Sequence, residues 1–196
     1  MTRMIKRPQT EASRRTMLGG AAVAMLGLVP FDPAAEAATA SGLNASAAAT
    51  LRRLYAHSPR ARELGRRARG VLVFPRIYKA GFVFGAQGGE GVLYVGGRVD
   101  GYYSTGAASF GFQAGAQEFG YVLFFITRSA LDYLRQSDGW SIGTGPSIVV
   151  LKEGAAMDAD TTTLTQDVYA MAFNQKGLMA TLSLEGSKIT RIHPKG

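Results

Sequence analysis

The apolar residues of this chain follow two periods. Over residues 45–68 they recur at helical spacing, with Leu51 and the Leu54-Tyr55 pair forming one stripe. Ser58-Pro59 interrupts that run as a helix start, a side-chain cap followed by a proline whose missing N–H costs nothing in a first turn. A second helix is predicted over 59–68. It carries Ala61, Leu64 and Ala68 on one face and Arg62, Arg66 and Arg69 on another, and Gly70 ends it in the left-handed conformation.

Beyond Gly70 the period drops to two. Val71-Leu72-Val73-Phe74 reads as a strand closed by Pro75, and Gly81-Phe82-Val83-Phe84-Gly85 as the next, with both phenylalanines on one face. Gly88-Gly89 reads as a turn and Val92-Leu93-Tyr94-Val95 as the returning strand. A glycine-spaced aromatic stretch follows over 102–113. Residues 121–126 are apolar at every position and read as a strand inside the sheet. Thr127 then caps one inserted helix, with Leu131 and Leu134 facing inward and Gly139 ending it. Strands resume over 147–151, 168–173 and 178–184, while the polar, threonine-rich stretch 153–165 reads as a loop. Gly85-Ala86-Gln87 with Val92-Leu93 returns as Gly115-Ala116-Gln117 with Val122-Leu123, which two hairpins of one design, or coincidence in a glycine-rich chain, would both produce. The fold class is α+β: an antiparallel, strongly bent sheet or barrel-like sandwich under an N-terminal helical layer, with one inserted helix.

Composition changes the picture in three places. The 25 glycines follow no collagen-like period and fall among aromatic and β-branched residues, which suits bent strands better than disorder. There is no cysteine, so disulfides, thiolate metal sites, cysteine nucleophiles and a lipobox are all excluded. The net charge of +8 is unevenly placed. Arg52, Arg53, Arg60, Arg62, Arg66, Arg67, Arg69, Arg76 and Lys79 crowd one segment with a single acid among them, Glu63, and the chain after Lys79 is slightly acidic. The partner that such a segment selects is anionic.

Residues 1–40 read as an address rather than as part of the fold. A basic stretch containing Ser13-Arg14-Arg15-Thr16-Met17-Leu18, which resembles a twin-arginine motif, precedes an apolar run from Met17 to Phe31. That run is shorter than the roughly 20 residues of a membrane span. Ala35-Glu36-Ala37 and Ala38-Thr39-Ala40 both fit the small-residue cleavage rule. The expectation is a signal peptide over 1–40, one domain over 41–196, and a periplasmic or secreted destination.

The residues offer little to catalysis. His57 and His193 are the only histidines, and neither has a helical partner for a metal. Ser109 and Ser183 lack a nucleophile elbow. The glycine-rich 85–91 stretch fits neither a P-loop nor a dinucleotide fingerprint. Asp158-Ala159-Asp160 lacks the glycine and closing glutamate of a calcium loop and reads as a turn. Glu90 and Glu185 each precede a glycine and suit hydrogen bonding in turns. No catalytic residue, metal or cofactor is expected. Arginines beside Tyr55, Phe74 and Tyr78 could also hold nucleic acid, but export takes the chain away from it.

Taken together, Ala68-Arg69-Gly70-Val71-Leu72-Val73-Phe74-Pro75-Arg76, Lys79-Ala80-Gly81-Phe82-Val83-Phe84-Gly85, Gly89-Glu90-Gly91-Val92-Leu93, Gly111-Phe112-Gln113-Ala114-Gly115-Ala116-Gln117, Ala130-Leu131-Asp132, Lys176-Gly177-Leu178-Met179-Ala180 and Ser183-Leu184-Glu185-Gly186-Ser187 resemble the SYLF-domain family. The resemblance implies a non-enzymatic lipid-binding module. Eukaryotic members are associated with phosphoinositide-rich membranes and some with actin; bacterial members are exported envelope proteins. An exported chain is out of reach of a cytoskeleton. The nine basic residues from Arg52 to Lys79 are the candidate surface for anionic lipid headgroups, since arginine forks match phosphate oxygens bidentately. An envelope interaction protein holding an acidic protein or glycan is the alternative. Phe82, Phe84, Tyr94, Phe110, Phe112, Phe124 and Phe125 are candidates for an apolar acyl-chain pocket, against the plainer reading that they are the core.

Overall fold

The computed structural model describes residues 39–81, 84–110, 115–151, 164–176, 184 and 186–195, all within the unit Glu36–Gly196. The signal-peptide expectation, Phe82, Phe112, most of the 153–165 loop and all but the end of the 178–184 strand lie outside them.

Helix α1 (Ala40–His57) begins five residues earlier than its apolar stripe suggests, because Thr39 caps it: its hydroxyl accepts from the Gly42 N–H at 3.2 Å. Helix α2 (Pro59–Arg67) starts as expected, with the Ser58 hydroxyl accepting from Ala61 N–H at 3.1 Å and proline in the first turn. Its end differs. Ala68 is the C-cap in an extended conformation, so Gly70 is not a left-handed stop. Gly70 instead opens β1 (Gly70–Gly81) and is glycine for space: a Cβ there would stand 2.8 Å from a Leu131 methyl.

The strands β2 (Phe84–Val95), β3 (Arg98–Phe110), β4 (Gly115–Phe125), β5 (Trp140–Ser141), β6 (Ile148–Leu151), β7 (Val168–Lys176) and β8 (Lys188–Ile192) join β1 in one curled sheet. The order is β5-β8-β3-β2-β1-β4-β7-β6. Its centre, β4-β1-β2-β3, is a Greek key. Every pair is antiparallel except β6 with β7. Helix α3 (Arg128–Gln136) is the inserted one, with Thr127 capping Ala130 N–H and Leu131 and Leu134 buried. It ends before Gly139, at Ser137.

Two sequence readings are corrected. Pro75 does not close a strand. It sits in a bulge, where β1 shifts register against β2 between Val73 and Tyr78 and against β4 between Phe74 and Ile77, and no ladder donor is needed. Gly88-Gly89 is not a turn but mid-strand, opposite Tyr78 and Thr105. The turn is Gly96-Gly97, both at positive φ (56° and 77°), the pair a tight type I′ hairpin requires. The repeated Gly-Ala-Gln also has its explanation here. β2 and β4 flank β1 in one register, so Lys79 lies between Gln87 and Gln117, Ala80 between Ala86 and Ala116, and Gly81 between Gly85 and Gly115.

Both faces of the sheet are buried around β1 and β4, which explains why 121–125 is apolar throughout. Leu72, Phe74, Leu93, Tyr121, Leu123 and Phe125 pack with α3, Trp140 and Ile189. Val71, Val73, Val92, Val122 and Phe124 pack under α1 and α2 through Leu43, Ala47, Leu54, Ala61 and Leu64. The helical layer is thus fixed to the sheet by its apolar stripe, and its remaining surface is available for charge.

Candidate lipid-binding surface

The nine basic residues do not act as one group. Arg66 and Arg67 both pair with Glu63, one and two positions beyond the i+2 neighbour, and those bonds hold the Glu63 carboxyl below its ordinary range. Arg76, in the bulge, pairs with Glu118 at 3.3 Å and lies 5.9 Å from the Tyr78 ring centroid. Lys79 leaves the cluster altogether. It has the strand parity of buried Ile77 and is flanked by Gln87 and buried Gln117, so it belongs to the sheet face opposite the two N-terminal helices. Arg69 lies beyond α2 rather than on its arginine face, with its N–H donated to Phe125 O at 2.7 Å.

Arg52, Arg53, Arg60, Arg62 and Arg69 remain. Among the described residues, no carboxylate lies within ion-pair distance of any of them. All five belong to α1, α2 or the link into β1, and all but Arg60 are exposed.

A cavity of about 380 Å³ opens beside them. Ala48, Leu51, Arg52 and Tyr55 line one side at positions i, i+3, i+4 and i+7 of α1, so a single helical stripe makes that wall. Gly65, Ala68, Arg69, Gly70 and Val71 supply the floor and far side, and Tyr94 with the Gly96-Gly97 turn completes it. Tyr55 and Tyr94 have raised pKa values because burial disfavours the phenolate; the Arg52 charge partly offsets this at Tyr94. Both are neutral hydroxyls at physiological pH. The Tyr94 hydroxyl donates to Asn44 O at 3.4 Å, and Asn44 Nδ2 donates to the Tyr102 hydroxyl at 3.0 Å.

The aromatic candidates are not gathered into this cavity. Tyr94 lines it. Phe124 is fully buried under α1 and α2, while Phe125 is buried on the opposite face. Phe84 and Phe110 are backbone partners across β2 and β3, and their side chains lie outside the described residues. Arg52, Arg69 and Tyr94 of the lining were sequence candidates; Ala48, Leu51 and Tyr55 were not named for a pocket, although the 48–51–52–55 spacing was readable. Among the described residues no helix is long and apolar enough to cross a membrane, and no cluster of His, Cys, Asp or Glu could hold a metal ion.

Residues 106–193 match the model of the Ysc84 family, described as Las17-binding protein actin regulator. The match, which covers less than half of the chain, agrees with the SYLF resemblance read from the sequence. No curated protein matches it. The arginines and the cavity lie upstream of the matched residues.

Proposed function

We propose that this protein binds anionic lipid at a membrane surface of the bacterial envelope, through the α1–α2 layer, after export by its N-terminal signal. The observation that carries the reading is the set of five arginines without a carboxylate partner among the described residues. A layer with charge left over after its internal pairs are made attracts an anionic surface, at roughly 1 kcal/mol per basic residue within a Debye length. The pairing of Arg66 and Arg67 with Glu63 leaves Arg52, Arg53, Arg60, Arg62 and Arg69 to do this. The buried stripe of α1 and α2 stays on the sheet, so the protein lies on the surface without inserting these helices.

Las17 binding and actin regulation, the family description, belong to a cytoskeleton that an exported chain does not meet. Co-sedimentation of residues 38–196 with phosphatidylcholine vesicles, with and without phosphatidylglycerol, tests the reading at low and high salt. Binding that needs the anionic lipid and falls with salt supports it. Equal binding to neutral vesicles, or none to either, overturns it.

A further inference from the structure

We propose that the cavity beside α1 is a site for one phosphate monoester amphiphile, with its phosphate between Arg52 and Arg69 and its carbon chain against Leu51, Val71 and Tyr94. The inference rests on the membrane-binding reading for its source of ligand, but not for its geometry.

Three observations converge. The cavity's two arginines come from different elements, α1 and the link into β1, and neither has a carboxylate partner among the described residues. Two guanidinium forks bring two positive charges, which the three terminal oxygens of a phosphate monoester, carrying close to two negative charges at neutral pH, match more fully than a singly charged carboxylate. The rest of the wall is mixed. Leu51 and Val71 are apolar, and the tyrosine is a neutral hydroxyl on an aromatic body, which fits a ligand charged at one end and carbon at the other. The size, about 380 Å³, is at the small end of ligand sites and suits a headgroup with the first part of one chain rather than a two-tailed lipid held whole. Access is built in: a Cβ at Gly96 or Gly97 would meet nothing within 4 Å, so the turn leaves its side of the mouth open.

The site is distinct from the outward arginines. Arg53, Arg60 and Arg62 are not in the cavity wall. A membrane surface and a one-molecule cavity therefore respond to different substitutions.

The test uses hexyl phosphate, inorganic phosphate and hexanol as soluble probes of residues 38–196, which keep the Thr39 cap of α1, by isothermal titration and by amide chemical shifts. Hexyl phosphate is expected to bind one to one, at least ten-fold tighter than inorganic phosphate or hexanol, and to shift the Gly96 and Gly97 amides. Arg52→Gln with Arg69→Gln is expected to weaken it at least ten-fold, and Ala48→Phe, which fills the cavity without touching charge, to do the same. Should Ala48→Phe fail to fold, the double glutamine variant and the amide shifts carry the test alone. Inorganic phosphate binding as tightly as hexyl phosphate would overturn the amphiphile and leave only an anion site. Hexyl phosphate binding that ignores the variants, or that moves amides elsewhere, would overturn the cavity. Arg53→Glu, Arg60→Glu and Arg62→Glu together are expected to leave hexyl phosphate binding intact while vesicle binding falls, so failure of the surface reading and failure of the cavity are told apart.

Discussion

Tyr55 on α1 lies directly over Gly65 on α2, so closely that a Cβ at residue 65 would overlap the tyrosine hydroxyl. Glycine inside a helix costs about 1 kcal/mol relative to alanine, and here that cost makes room for a side chain that lines the cavity. In Gly65→Ala the gain in helix propensity and the displacement of Tyr55 oppose each other. The obstructing atoms are the far end of a side chain with two rotatable bonds, so the ring swings aside and the backbone stays. The expected change in unfolding free energy by urea titration is less than about 1 kcal/mol. The tyrosine environment, read by near-ultraviolet circular dichroism, should change clearly.

Gly91 gives the opposite balance. A Cβ there would lie 2.6 Å from the Val73 carbonyl oxygen and 2.7 Å from the Phe74 ring, both in the buried centre of the sheet beside the bulge. Nothing can swing away, and Phe74 is fully buried. Gly91→Ala is expected to cost about 3 kcal/mol, the upper part of the range for overpacking a core, or to abolish folding. A urea midpoint unchanged from the parent would contradict the register given for β1 and β2.

Asp167 ties three elements together. Its carboxylate accepts from the Ser147 N–H at 3.0 Å and from the Thr127 and Ser147 hydroxyls at 2.9 Å each, which joins the cap of α3 to the starts of β6 and β7. The Ser147 backbone donor, then the Thr127 and Ser147 hydroxyls, hold its carboxyl below the usual carboxylate range. A depressed folded-state value means that the stabilisation is complete above the ordinary value near 4 and is lost as pH falls through the lowered one. Asp167→Ala is expected to lose about 1–2 kcal/mol at pH 7. The gap between variant and parent should close in acid, as shown by thermal melts from pH 7 to pH 2.

Much of the fold was legible because its signals were local. Ser58-Pro59, the Thr127 cap and the unbroken apolar run at 121–125 each name their own structure. The misreadings were of glycine and proline, whose meaning depends on neighbours distant in sequence. Gly89 is glycine because the Arg76 carbonyl and Ile77 lie against it, and Pro75 is tolerated because both neighbouring strands shift register around it. β8, with Lys188, Thr190 and Arg191 in its five residues, carries too little apolar pattern to announce itself, yet it pairs with β3 over Tyr102 to Gly106. At the candidate site the charge was legible but not its disposition. Only the structure separates Lys79 from the arginines and gives Arg66 and Arg67 to Glu63.

On the proposed reading that the chain is exported, the start of α1 favours one of the two candidate cleavage sites. Thr39 caps the helix, and Ala40 N–H donates to Lys195 O at 3.1 Å. Cleavage after Ala37 keeps both contacts, whereas cleavage after Ala40 removes the cap, a loss of about 1 kcal/mol. The mature protein is expected to begin at Ala38. N-terminal sequencing of exported material that returned Ser41 would contradict this.

The most direct test of membrane binding through the α1–α2 layer is co-sedimentation of the triple variant Arg53→Glu, Arg60→Glu and Arg62→Glu with phosphatidylglycerol vesicles at low salt. These arginines make no ion pair among the described residues, so the variant is expected to melt within a few degrees of the parent. Each reversal removes one attraction and adds one repulsion, so about six charge equivalents change at roughly 1 kcal/mol apiece. Vesicle binding is expected to disappear. A folded triple variant that still sediments as the parent does would show that the membrane is met by another surface.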